Sequence, residues 1–269
     1  TGTIKTKFKL HDGNFVEGVL IPKNKRMTAC ISSQVGCSLS CSFCATGSLG
    51  LTRNLSASEI YRQVVYISKK CMEIYNQPLT NIVFMGMGEP LLNYKNVMRS
   101  IHFITSEEGL NMSYKRITLS TSGISKMIRK LADDNVKVNL ALSLHAANEE
   151  LRKKIMPIGK SNTLEEIRDS LKYYFSKTKK KVTYEYVLLR DVNDSIEDAY
   201  QLYKYTKHLS SKVNIIEYNT VEGLEFKKSS FEKTEKFIGY LLKKGVNVSL
   251  RRSRGKDINA ACGQLANKN

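Results

Sequence analysis

Cys37, Cys41 and Cys44 stand in a CxxxCxxC spacing, with Phe43 just before the third cysteine. Three thiolates held this closely can grip one metal centre from a single loop. A [4Fe–4S] cube takes four ligands, and this run supplies three. With no fourth protein ligand, one iron stays open to a substrate or cofactor. An open position is what separates a reactive metal site from a closed structural one. A structural zinc loop is the alternative, but such loops run CxxC with a second Cys/His pair downstream. The other cysteines (Cys30, Cys71, Cys262) and the histidines (His11, His102, His145, His208) form no close-spaced pair. A disulfide framework suits a chain with no visible secretion signal poorly. The spacing favours a cluster over zinc.

Such a loop needs a scaffold, and 269 residues at 41% hydrophobic content are enough for one large domain or two small ones. No apolar run reaches the ~18 residues of a membrane span, so a cytoplasmic protein without a membrane partner is expected. The chain opens on Thr1 rather than Met, as a fragment or processed form would. Its net charge of +18, from 43 Lys+Arg against 25 Asp+Glu, points to an anionic partner, nucleic acid first. Lys177, Lys179, Lys180 and Lys181 read as a solvated loop. Arg251, Arg252, Arg254 and Lys256 follow an apolar strand, and arginine forks suit phosphate and base edges.

After residue 27, strand-like and helix-like segments alternate. Strands are expected at 27–33, 81–85, 116–120, 137–144, 182–189, 213–218 and 246–250. Ser56 with Glu59 forms a capping box opening a helix to about Tyr75. Its apolar face is Ile60, Val64, Ile67, Cys71 and Ile74, which makes Cys71 a small core residue. Further helices are expected at 94–105 and 124–133, after a Thr163/Glu166 cap, between the strands at 182–189 and 213–218, and from a Ser229/Glu232 cap to Gly245. Residues 1–26 read as a small β extension and 27–269 as the catalytic domain. Continuous apolar strands separated by helices argue for an α/β fold with a parallel sheet, as a barrel, a partial barrel or a doubly wound sheet. Chemistry in such folds sits at the C-terminal strand ends. There fall the cysteine loop, Gly88-Glu89-Pro90, Ser120-Thr121-Ser122-Gly123, Ser143-Leu144-His145 and Asn219.

CxxxCxFC with Gly88-Glu89-Pro90 resembles the radical S-adenosylmethionine (SAM) superfamily. Four longer stretches resemble the RlmN/Cfr family of RNA adenine methyltransferases within it: the run from Cys30 to Cys37, Cys44-Ala-Thr-Gly, Met85-Gly-Met-Gly-Glu-Pro-Leu-Leu-Asn93, and Ala260-Ala-Cys262-Gly-Gln-Leu265. The resemblance covers about 17–265. No stretch of the chain matches the helical N-terminal accessory domain usual in that family.

The resemblance implies a partial (β/α)6 TIM-like barrel of the radical SAM type with a small N-terminal β extension. It implies a [4Fe–4S] cluster on Cys37, Cys41 and Cys44, and SAM contacted by Gly88, Glu89, Ser120, Ser143, Leu144, His145 and Asn219. Taken singly, Ser120 and Ser143 also read as helix caps and His145 as a satisfied strand-end histidine. The implied reaction is methylation of adenosine C2 in 23S rRNA and in tRNA. C2 has no lone pair to attack a sulfonium methyl, so a radical route is required, and a nucleophilic thiolate must first hold the methyl. Cys262 has that role by resemblance, Cys30 releases the product by thiol attack, and Glu17 accepts the proton. Pro90 after Gly-Glu matches the C2 enzymes. Adenine-C8 methylation of the Cfr type, or an inactive metal-containing RNA-binding module, are the alternatives. An electron donor and a monomeric state complete the expectation.

Overall fold

The structure, a computed structural model, describes residues 2–267. The outer limits of the two expected segments, at residues 1 and 269, lie outside the described residues. The fold divides into two units. The first contains residues 2–40, Cys44–Ser120 and 254–267; the second contains Cys41–Phe43 and Thr121–Ser253.

In the first unit, β1 (Ile4–Lys9) and β2 (Phe15–Lys23) form an antiparallel hairpin around Gly13. β2 pairs antiparallel with β3 (Arg26–Cys30), with Val19 opposite Cys30. A short hairpin follows, β4 (Gln34–Gly36) against β5 (Leu51–Asn54). Helix α1 (Ala57–Tyr75) opens on the expected capping box. Ser56 Oγ accepts the Glu59 N–H at 3.2 Å, and Glu59 Oε2 accepts the Ser56 N–H at 2.9 Å, which satisfies two amides the helix itself leaves without acceptors. Ile60, Val64, Ile67 and Cys71 are buried as the periodicity requires. Each aliphatic side chain contributes about 1.5–3 kcal/mol by leaving water. Ile74, expected on the same face, is 51% exposed, because the last turn of α1 extends past the surface it covers. Strand β6 (Asn81–Phe84), helix α2 (Tyr94–Thr105) and strand β7 (Ile117–Thr121) follow, and the pairings β3–β6 and β6–β7 are parallel.

The second unit runs α3 (Ser125–Asp133), β8 (Asn139–Ser143), α4 (Glu149–Ile155), α5 (Leu164–Thr178), β9 (Val182–Leu188), α6 (Ile196–Thr206), β10 (Ser211–Glu217), α7 (Phe231–Lys243) and β11 (Val248–Arg251). Strands β8, β9, β10 and β11 pair in parallel. Thr163 and Glu166 cap α5 as expected. The cap of α7 is one residue later than the sequence suggests: Ser230 Oγ, not Ser229 Oγ, accepts an N–H, from Lys233. The Ser229 hydroxyl donates instead to buried Asp194, and Glu232 pairs with Lys236. The expected α/β class with parallel strands and intervening helices is what each unit shows.

Candidate functional site

In the first unit, the C-terminal ends of the parallel strands carry the expected residues. Cys30 is the last residue of β3 and is 6% exposed. Gly88 and Glu89 follow β6, and Ser120 is the penultimate residue of β7. A serine and three buried amides, none assigned a role from sequence, lock these loops together. Ser32 Oγ donates to the Glu17 carbonyl at 2.6 Å and accepts the Met87 N–H at 2.8 Å. Gln34 Oε1 accepts the Glu89 N–H at 2.8 Å, while its Nε2 donates to Asn54 at 2.7 Å. Asn93 Nδ2 donates to the carbonyls of Ser33 and Leu55. Gln63 both donates to and accepts from the Ser32 backbone. Buried amides matched on both ends fix a loop that has little apolar packing of its own.

Gly88, at φ +96, has no room for a Cβ, which would lie 2.5 Å from the Gln34 side chain. The Glu89 side chain is buried and accepts the Leu91 N–H at 3.1 Å. The Cys37 N–H donates to the Gly50 carbonyl at 2.7 Å, so the β4–β5 hairpin frames the start of the cysteine loop. Burial pushes the Cys37 thiol up to about 11, and the negative charges of Cys44 and Glu89 add to the effect. Negative charge is costly at this spot, and a cationic iron centre reverses that cost. The donor set, thiols beside a carboxylate, thus fits an iron–sulfur group. Among the described residues, no three Cys, His, Asp or Glu side chains are already gathered in metal-holding positions.

The same unit holds Glu17 and Cys262. Glu17 lies on β2 and is fully buried. Its Oε1 pairs with Lys5 at 3.1 Å and its Oε2 accepts the Ala266 N–H at 3.0 Å. Ala260 and Ala261 are buried and Cys262 is exposed, in a turn completed by Gly263 at φ +83. Gln264 folds back so that its Oε1 accepts the Ala261 N–H at 3.1 Å. The Gly263 carbonyl accepts the Ala45 N–H at 2.8 Å, and the Leu265 carbonyl accepts the Thr46 hydroxyl at 2.6 Å. The loop carrying Cys262 is therefore fastened to the two residues behind Cys44.

In the second unit, Ser143 ends β8 with Leu144 and His145 directly after it, and Asn219 follows β10, at the same edge of a parallel sheet. The N–H groups of Leu144 and His145 both donate to the Glu185 carbonyl. His145 adopts φ +55, and its Nδ1 accepts the Val187 N–H at 3.1 Å. Burial, with the Arg152 charge second, pushes the imidazole down to about 3, so it is neutral at physiological pH. The edge of its ring meets Phe43 at a 5.0 Å centroid distance. Cys41 and Phe43 pack on the apolar cluster of Ala146, Ile155, Met156 and Val187. In the arginine group, Arg251 reaches Glu185 at 3.5 Å and Arg254 donates to the Pro22 carbonyl, while Arg252 and Lys256 are exposed.

The model of the Radical SAM superfamily matches residues 31–203. The chain belongs to the radical SAM superfamily. Within this superfamily, it is 58% identical over 267 residues to the "Probable dual-specificity RNA methyltransferase RlmN" of Cytophaga hutchinsonii, covering 99% of this chain and 73% of that protein. It is 57% identical to the same-named protein of Flavobacterium psychrophilum, covering 99% of this chain and 77% of the relative. The crystal structure of a radical SAM methyltransferase from Sphaerobacter thermophilus superposes with a TM-score of 0.96 at 44% identity. That match covers 98% of this chain and 77% of the other. The radical SAM fold and the cofactors it entails, a [4Fe–4S] cluster and SAM, are those expected from the cysteine spacing and the Gly-Glu-Pro motif.

Proposed function

We propose that this chain is a radical SAM methyltransferase that places a methyl group on C2 of an adenosine in 23S rRNA, with tRNA as a second substrate. The observation that carries the reading is the anchoring of the Cys262 loop directly behind Cys44. It holds the turn that carries an exposed thiol against the two residues that follow the cysteine motif. RNA methyltransferases named RlmN, similar over nearly the whole chain, support the RNA substrate and the enzymatic class. The C8 and inactive alternatives gain no support from them.

In this reading Cys37, Cys41 and Cys44 hold the [4Fe–4S] cluster. Bound there, the cluster would supply the electron for cleavage of SAM. Gly88, Glu89, Ser120, Ser143, Leu144, His145 and Asn219 bind the SAM. Gly88 offers backbone close up, because no side chain fits there. Neutral His145 offers a polar ring without a charge. Cys262 Sγ, as a thiolate, takes the methyl from one SAM sulfonium. With the cluster and a second SAM bound, the radical derived from that SAM would remove a hydrogen atom from the S-methyl, and the methylene carbon would bond to adenine C2, the surplus electron returning to the oxidised cluster. Glu17, held by Lys5 and the Ala266 N–H, takes up the C2 proton. The Cys30 thiolate then attacks the Cys262 sulfur. The carbon–sulfur bond to the RNA breaks, the released carbon takes up a proton to complete the methyl group, the methylated base leaves, and a Cys30–Cys262 disulfide remains for reductants to reopen. A separate electron donor reduces the cluster. The target base must leave its stack, which favours a loop of the RNA. Residues 1–26 form an extension to a catalytic domain at 27–269. We place the enzyme in the cytoplasm as a monomer; among the described residues, no helix is long and apolar enough to cross a membrane.

The test is anaerobic reaction of reconstituted protein with SAM, reductant and unmethylated RNA, followed by mass spectrometry of the nucleosides. 2-Methyladenosine is expected. 8-Methyladenosine moves the assignment to the Cfr type, and a colourless protein that leaves SAM intact overturns it.

A further inference from the structure

Arg152 of α4 is fully buried. Its Nη2 donates to the Ser122 carbonyl at 2.6 Å and its Nη1 to the Asn162 carbonyl at 3.4 Å. Its Nε meets no acceptor among the described residues. Both acceptors are neutral, and no carboxylate lies within ion-pair distance of the guanidinium among the described residues. Glu149 acts on it only at longer range, its Oε2 accepting the Leu164 N–H. An arginine stays charged even when burial pulls its pKa down, as it does here. A cation out of water without a counter-charge is among the costliest arrangements a protein interior can hold.

The helix that carries this charge is stapled to the middle of the cysteine motif. The carbonyl of Ile155, the last residue of α4, accepts both the Ser42 N–H at 3.0 Å and the Ser42 hydroxyl at 3.2 Å. Cys41 and Phe43, on either side of Ser42, pack against the apolar cluster to which Ile155 and Met156 belong. Burial pulls the Arg152 pKa down, and negative charge on Tyr205, on Cys41 and on Glu149 would oppose that. A cube held by three thiolates is net negative, and it becomes more so when reduced.

We propose that Arg152 is a positioning residue for the cluster, its buried guanidinium supplying the counter-charge to the Cys41-ligated iron and raising the reduction potential. This rests on the reading of Cys41 as a cluster ligand. The buried cation is then answered by an anionic inorganic group rather than by a carboxylate. The electron that the cation favours comes from a low-potential one-electron reductant.

The test compares full-length wild type, Arg152→Met and Arg152→Lys after anaerobic reconstitution. Iron content, the midpoint potential from EPR-monitored reductive titration, and the melting temperatures of cluster-loaded and cluster-free protein are read. Arg152→Met is expected to shift the potential negative, and Arg152→Lys to restore most of the shift. Cluster-free Arg152→Met is expected to melt no lower than cluster-free wild type, because it no longer buries a lone charge. An unchanged potential in Arg152→Met, with equal loss of stability in both forms, would overturn the proposal. If Arg152→Met holds no cluster, Arg152→Lys decides: wild-type iron content and potential support the proposal, and loss of the cluster there too sinks it. A wild type without a [4Fe–4S] signal refutes the proposed function itself, whereas a cluster indifferent to Arg152 refutes only this inference.

Discussion

The hydroxyl of Thr46 donates to the backbone carbonyl of Leu265 at 2.6 Å, across 219 residues of sequence. One bond away, the Ala45 N–H meets the Gly263 carbonyl at 2.8 Å. These two contacts fix the Cys262 turn to the cysteine loop within a single unit. A methyl carrier on a surface loop needs such a tether, because a small displacement of a reacting group lowers the rate steeply.

Thr46→Val keeps the shape and removes the donor, leaving a buried carbonyl unpaired at a cost of about 1–3 kcal/mol. The Cys262 turn is then expected to loosen, with faster alkylation of Cys262 in the native protein, slower methylation and unchanged iron content. Wild-type alkylation and turnover in this variant would show that the tether does not position the thiol.

Gly36 is the residue on which the β4–β5 frame depends. At φ +76, an added Cβ would sit 1.8 Å from the Gly50 carbonyl oxygen. Gly36→Ala should cost about 3 kcal/mol or more through strain and clash together, and iron content should fall with it. Gly13→Ala, also at positive φ but with nothing within 4 Å of the new methyl, is the control: it carries the strain without the clash and should keep its iron. Equal iron loss in both would mean that the frame is not what holds the loop.

Arg53 donates to Asp12 Oδ2 at 2.5 Å and to both oxygens of Glu59 at 2.9 Å. The guanidinium holds both carboxyls below their ordinary range, Glu59 down from 4.5 to about 2. A lowered carboxyl pKa stabilises the fold above the unfolded value, and that contribution is lost as the pH falls from about 4.5 towards about 2. Glu59 is partly exposed, so solvent screening keeps its contribution to about 1 kcal/mol or less. Arg53→Met should therefore melt below wild type near neutral pH, with the gap closing as the solution is acidified through this window. A gap independent of pH would contradict the ion-pair account.

What the sequence makes legible here is what is local. Ser56 and Glu59, or Thr163 and Glu166, are three residues apart, and the capping box needs only that spacing. The Ser229–Ser230 pair shows the limit, since either hydroxyl can cap α7. The choice falls to Asp194, 35 residues away, which captures Ser229. Gln34, Gln63 and Asn93 escaped a sequence reading for the same reason: their partners lie 20 to 60 residues distant. Gln34 and Asn93 do stand inside the motif stretches, which is the only signal that could have marked them. Glu17 reads as one carboxylate in a short extension, and only the fold shows it buried between Lys5 and Ala266. Arg152 is assigned no role from the sequence, and only its burial in the fold marks it.

The central claim is the division of labour between Cys262, which carries the methyl, and Cys30, which releases the product. Denaturing electrophoresis of labelled RNA after anaerobic turnover with single variants tests it most directly. Cys30→Ala should trap a covalent protein–RNA adduct, and Cys262→Ala should form none. Adducts of equal yield from both variants, or from neither, would contradict the account.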